Sequence, residues 1–198
     1  MIKVAQVLCF FLAFFLFGCS ANLDNPKEVK DGLPPGYVRY EKNALSFQYP
    51  DSWFIEEKNQ SNESGNSWGI FFSNDMNLLR DGIESQNAVP DSLEKGVFGI
   101  VTYIEYNEPY EATPIEILSF YENLFFGDYL DKKEGPKVIK TNGQEILQAT
   151  YYAHLIMKIS VIVDSEYVAI MIGTIELDAK DTWIETLETM SKSLILHP

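Results

Sequence analysis

The side chains of this 198-residue chain that could do chemistry are few, and each one limits what the protein can be. The only cysteines are Cys9 and Cys19, and the only imidazoles are His154 and His197. Two histidines far apart in the sequence leave a histidine-ligated metal cluster without ligands. Cys9 lies inside an apolar run, and Cys19 stands just beyond it. No Gly-x-Ser-x-Gly elbow of a serine hydrolase is expected, and neither a Gly-x-Gly-x-x-Gly nor a Walker sequence is present to hold phosphates. Glu56 and Glu57 are adjacent on a β-like stretch, where neighbours point to opposite faces and cannot converge as a glycosidase pair does. Asp75, Asn77 and Asp81 are oxygen donors of the kind hard cations prefer, but no glutamate stands where an EF-hand loop needs its bidentate ligand. Tyr49 and Trp53 are the aromatic candidates, either for stacking a ligand or for packing, and packing is the expected role. No cofactor and no catalytic residue is expected.

Position in the cell is written at the N-terminus. Lys3 is the only charge before Asp24, and from Val4 to Phe17 the chain is apolar apart from Gln6. A positive start, a short apolar core and a small residue before the break make a secretory signal, shorter than the roughly 20 residues of a membrane-spanning helix. The same run also fits an uncleaved signal anchor, or an ordinary cleaved signal in which the cysteine is incidental. With Leu16 three residues before the cysteine and Gly18-Cys19 at the break, the segment resembles a bacterial lipoprotein signal, although Phe17 is bulkier than that pattern prefers. The resemblance implies cleavage before Cys19, a diacylglyceryl thioether on its sulfur and an acylated new amino terminus. Such an anchor holds firmly, since each buried methylene contributes about 0.8 kcal/mol and several chains share the load. The implied mature chain has a single cysteine, which removes internal disulfides, Cys-x-x-Cys redox pairs and cysteine zinc sites.

Removing residues 1 to 18 takes away one lysine and no acid, so the mature chain has 14 basic and 29 acidic side chains and a net charge of −15. Nucleic acid is excluded as a partner, because phosphate-backbone binding needs basic stripes. Residues 19–36, with Asn25-Pro26, Asp31-Gly32 and Leu33-Pro34-Pro35-Gly36, lack any apolar period and read as a flexible tether behind the lipidated cysteine. Ser20 after the cysteine permits export to an outer membrane where there is one. Residues 37–198 have the length of one domain, and 46% hydrophobic and 14% aromatic content suffice for its core.

Within that domain, alternation predicts a hairpin from Tyr37–Glu41 and Leu45–Tyr49, with Lys42-Asn43-Ala44 as its turn. Proline at position 50 stops pairing and turns the chain, which lets Trp53 fold back over a sheet. Residues 59–66 read as an exposed polar loop, in which Asn62-Glu63-Ser64 matches a glycosylation acceptor by chance. Trp68–Phe72 reads as a buried strand, residues 73–95 as a long irregular segment, and Gly96–Tyr106 as a strong strand. Thr113-Pro114 with Glu116 is a helix start, and Ile117, Tyr121 and Leu124, widened by Leu118 and Phe125, form its expected apolar stripe, with Gly127 as its end. Asn142-Gly143 marks a hairpin, and three β-rich runs up to Ile175 make a meander. A closing helix, capped by Asp178, carries Ala179, Trp183, Leu187, Met190 and Leu194 on one face.

A strand followed by Tyr-Pro-x-x-Trp, here Phe47-Gln48-Tyr49-Pro50-Asp51-Ser52-Trp53, resembles the opening of the PsbP-like domains. That family is named for an extrinsic subunit of photosystem II and shares its fold with a nuclear-transport factor that binds Ran. The resemblance implies an α+β domain with a central antiparallel β-sheet sandwiched by helices, and an accessory role on a membrane complex. The expected function is therefore a non-catalytic binding module, fixed to the membrane through Cys19 and facing a membrane-protein partner. The competing expectation is a small-ligand or cation binder, or a small enzyme, with a pocket between sheet and helices.

Overall fold

The computed structural model describes residues 33–62, 65–85, 96–109, 111–126 and 130–197. Cys19, most of the tether, residues 63–64 of the acceptor pattern and Gly127 lie outside them. The first hairpin is where the alternation places it, but Lys42 is paired and the turn is only Asn43-Ala44: β1 (Tyr37–Lys42) and β2 (Leu45–Pro50) pair from Lys42 opposite Leu45 to Tyr37 opposite Pro50. Asn43, at φ +52°, takes the left-handed conformation that the two-residue turn demands and that asparagine tolerates.

A fully antiparallel sheet of seven strands follows, in the order β3-β4-β5-β9-β8-β7-β6. Its members are β3 (Phe54–Asn62), β4 (Gly65–Ser73), β5 (Val97–Tyr106), β6 (Lys132–Thr141), β7 (Gln144–Tyr152), β8 (Leu155–Val163) and β9 (Tyr167–Glu176). The short β10 (Ile195–Leu196) leaves this sheet and pairs with β2, making a second sheet in the order β1-β2-β10. Gln144 clasps it there, donating to the Leu196 carbonyl at 2.5 Å and accepting from the Leu196 amide at 2.9 Å.

The sheet is sandwiched, as the α+β expectation has it. On one face lie α3 (Lys180–Lys192) and the small sheet, sharing a core of Tyr40, Phe47, Trp53, Phe72, Leu187 and Met190. On the other lies α2 (Pro114–Phe125), whose Ile117, Leu118 and Tyr121 are buried against Ile104, Ile159 and Ile170. Beside it α1 (Met76–Ser85) packs Leu78, Leu79 and Ile83 around Phe98. Strands whose both faces are covered become nearly continuous apolar runs, which is how β8 and β9 read.

Four expectations are corrected. Of the polar stretch 59–66, residues 59–62 and 65–66 are strand rather than loop: β3 runs through Asn62 and pairs with β4 up to Asn62 opposite Gly65. Edge-strand side chains can face water while the backbone completes the ladder, so polarity alone does not break a strand there. The supposed irregular segment contains α1, begun by Asp75, whose Oδ1 accepts from the amides of Asn77 at 2.8 Å and Leu78 at 3.0 Å. The oxygen expected to suit a cation is thus a helix cap. At the last helix Asp178 falls inside a 3-10 turn, Leu177–Ala179, one residue too early, and the N-cap position is Ala179 with no side-chain bond. Leu124 is 51% exposed rather than part of the buried stripe. At about 100° per residue it sits some 60° round from Tyr121, at the rim of α2.

The start of α2 is a complete capping box. The Glu116 amide donates to Thr113 Oγ1 at 3.4 Å, while the Thr113 amide donates to Glu116 Oε2 at 2.8 Å. The Thr113 backbone bond, with its side chain, holds the Glu116 carboxyl below its ordinary value. Thr113→Ala is expected to lower stability by about 1 kcal/mol in thermal or urea unfolding. An unchanged midpoint would show that the box contributes nothing.

Candidate docking face and buried ionic cluster

Tyr49 and Trp53 are packing residues, at 8% and 6% exposure. The Trp53 amide donates to the Pro50 carbonyl at 3.0 Å, closing the turn that proline begins. Its indole then stacks on Phe72, with centroids 5.9 Å apart and rings 17° from parallel, and meets the edge of Trp183 on α3 at 5.8 Å. Two glycines in register beneath this layer, Gly99 on β5 and Gly173 on β9, make room for it. A β-carbon on Gly99 would lie 2.3 Å from the Phe72 ring and 2.4 Å from the Ile172 carbonyl, and one on Gly173 would lie 2.6 Å from Leu187.

The other residues with chemical potential are dispersed. His154 is exposed at the β7–β8 turn, and His197 Nε2 lies 2.9 Å from Ser46 Oγ beside β10. Glu57 bonds Lys42 of the first hairpin, while Glu56, one residue earlier, faces the other way along β3. The letters Gly-x-Ser-x-Gly do occur, contrary to expectation, at Gly65-Asn66-Ser67-Trp68-Gly69. They lie along β4, regularly paired on both sides, and Ser67 is 1% exposed, whereas an elbow needs its serine at a sharp strand-to-helix turn. Asp75, Asn77 and Asp81 are spread along the cap and body of α1. No group of three metal-ligating side chains is found among the described residues, and no described helix is long and apolar enough to cross a membrane.

Two features stand out. The first is the outer face of α2, where Ile115, Glu116, Ser119, Phe120, Asn123 and Leu124 line a shallow open groove. Ile115 and Leu124 are 45% and 51% exposed, although the opposite face of the helix is fully committed to the core. Glu108, Glu111 and Glu116 are exposed on and before the first turn, so the apolar surface has an acidic approach.

The second is a polar band beneath α3. Lys158 sits in the middle of the apolar run of β8 at 3% exposure, and its ammonium bonds Oε2 of Glu188 on α3. The other oxygen, Oε1, is 3.2 Å from Lys192 Nζ and 3.5 Å from Lys137 Nζ on β6. Burial is the largest influence on Lys158 and pushes its ammonium down; Glu188 opposes this, while Lys137 and Lys192 add repulsion. Burial likewise pushes the Glu188 carboxyl up, but the bond and charge of Lys158, with Lys192 and Lys137, outweigh it and bring it down to about 2. Gln148 on β7 lies opposite both Lys137 and Ser160, fully buried, and donates to Ser160 Oγ at 3.1 Å. The sequence signal for this cluster is the lone lysine in Leu155–Val163; nothing in the sequence alone pairs it with a glutamate 30 residues on.

No family model matches the chain, and no curated protein matches it. Among solved structures, the fold is similar to the solution structure of cyanobacterial PsbP (CyanoP) from Synechocystis sp. PCC 6803. That likeness has a TM-score of 0.47 and 14% identity, and covers 92% of this chain and 99% of that one. It is similar also to the crystal structure of LpqN, involved in cell envelope biogenesis of Mycobacterium tuberculosis. There the TM-score is 0.45 and the identity 13%, covering 89% of this chain and 93% of that one. The likeness is one of fold, and the functional reading rests on this chain's own residues.

Proposed function

We propose that the protein is a lipid-anchored, extracytoplasmic binding module that docks through the outer face of α2 onto a membrane-associated protein. The partner surface carries an apolar strip edged by basic side chains. One observation supports this reading above the others: Ile115 and Leu124 remain about half exposed on a helix whose other face is core, beside exposed Glu108, Glu111 and Glu116. Apolar contact supplies affinity, and the acidic rim selects and orients a basic partner. The acyl chains on Cys19 hold the domain at the membrane, which converts a weak contact into an effectively intramolecular one.

A photo-crosslinking side chain placed at Ser119 in cells tests the face. The expected result is one discrete adduct that is lost in Ile115→Ser/Leu124→Ser and weakened in Glu108→Lys/Glu111→Lys. No adduct, or an adduct indifferent to these changes, overturns the docking face. For the anchor, Cys19→Ser is expected to move the protein from the membrane to the soluble fraction. Retention with membranes without any lipid mass would contradict it.

A further inference from the structure

We propose that the surface where edge strand β6 faces the C-terminal half of α3 is a binding site for a phosphate-type oxyanion, held by Lys137 and Lys192. In a chain of net charge −14, four of the 15 basic residues fall within the ten residues of β6: Lys132, Lys133, Lys137 and Lys140. Lysines, together with a register shift between Glu134 and Lys137, protect an exposed edge from pairing with another chain, and that accounts for some of them. Lys133 is taken up by Glu122 of α2 and Lys140 by Glu145 of β7. Edge protection does not account for Lys137, which points to the α3 face and meets Lys192 at one oxygen of a carboxylate whose other oxygen holds a buried lysine.

The balance of charge decides the ligand. Three ammonium groups converge on the single carboxylate of Glu188, and Lys158 with Glu188 forms a neutral pair by itself. Lys137 and Lys192 then bring two further positive charges. Both are more than half exposed, at 57% and 53%, so each could extend into water and avoid the repulsion, yet both turn inward. A dianion held between those two ammonium groups balances their charges and leaves the inner pair undisturbed. The strands beneath are polar here: Gln148 pairs with both Lys137 and Ser160, Thr150 pairs with Lys158, and Gln148, Ser160 and Thr150 are all buried. The Gln148 Oε1 atom has no hydrogen-bond partner among the described residues. Once the exposed lysines swing outward onto the anion, it can accept from a protonated phosphate oxygen, or, with the amide rotated end for end, present its NH2 as a donor. Phosphate meets these needs in two forms, as a free phosphate or phosphomonoester and as a phospholipid headgroup. The site itself stands apart from the α2 docking reading, and only the headgroup form draws on the anchor.

The test uses the full-length Cys19→Ser protein, titrated with inorganic pyrophosphate at constant ionic strength by calorimetry. Co-sedimentation with phosphatidylglycerol and with phosphatidylcholine vesicles runs in parallel. Saturable binding is expected, falling at least tenfold in Lys137→Gln/Lys192→Gln and unchanged in Lys140→Gln, whose charge lies on the same strand. Melting curves check that the variants fold, which their exposure favours. Binding to phosphatidylglycerol vesicles that depends on the same two lysines identifies a headgroup, and binding to pyrophosphate alone identifies a soluble phosphate. Absence of saturable binding to either probe in the parent protein, or equal binding by the double variant, overturns the proposal. Neither result bears on crosslinking at Ser119, so the two readings fail separately.

Discussion

Trp53→Ala is expected to lower stability by about 3 to 5 kcal/mol, the range for emptying a large aromatic site in a core that cannot collapse around it. The site cannot collapse because its neighbours are fixed from three sides. Phe72 lies over Gly99 with no room to move inward, Trp183 is carried on α3, and the turn at Pro50 ties the indole's backbone to the end of the first hairpin. Urea unfolding reads the effect as a lower midpoint at unchanged slope. Trp53→Phe keeps the stack on Phe72 and loses the edge contact with Trp183, so it is expected to cost less than half as much. A loss below about 1 kcal/mol in the alanine variant would show that the indole is not the plug between hairpin, sheet and helix.

Glu188→Ala is expected to cost about 3 kcal/mol, because it leaves the Lys158 ammonium buried without its counter-ion. Removing both partners is the contrasting experiment: Lys158→Met with Glu188→Leu is expected to be neutral or stabilising, since two charges no longer have to be taken out of water. The pH dependence has a defined sign. The Glu188 carboxyl lies at about 2 in the folded chain, below its ordinary 4.5, so the pair's contribution is whole above about pH 4.5 and is lost as the pH falls toward 2. Urea midpoints measured between pH 6 and 2 should therefore fall less steeply in the double variant than in the parent. Parallel profiles would mean that the glutamate gains nothing from its lysines.

Local signals in the sequence served where local chemistry decides the structure. Asn43 in the first turn, the Thr113-Pro114-x-Glu116 box and Asn142-Gly143 each set a backbone conformation from within a few residues and are found where they were expected, the first turn being one residue shorter than read. The residues that misled are polar ones whose role depends on distant partners. Asp75 reads as loop or cation ligand until the buried faces of Leu78, Leu79 and Ile83 show that a helix begins there. Asn59 and Gln60 read as loop because their polarity does not report the strand pairing of their backbones with Trp68 and Ser67. The departure of β10 to the first hairpin joins Leu196 to Leu45 across the whole domain, and no periodicity reports such a contact.

The candidate site was legible in parts. Lys158 is conspicuous as the one charge in a nine-residue apolar strand, but its meaning waits on Glu188, which α3 brings over it. Tyr49 and Trp53 announced themselves by the Tyr-Pro-x-x-Trp spacing, and burial assigns both to packing. The groove on α2 was hidden by the helix's own regularity: Leu124 fits an i, i+3 step from Tyr121, and only the direction of the sheet beneath shows that this step leads outward.

Intact-mass spectrometry of the native protein extracted from membranes tests most directly the claim that a lipid at one sulfur holds this domain in place. The account predicts a chain beginning at Cys19 with the added mass of a diacylglyceryl group and an amino-terminal acyl chain. A precursor mass with residues 1–18 still attached, or a chain from Cys19 with a bare thiol, would contradict it.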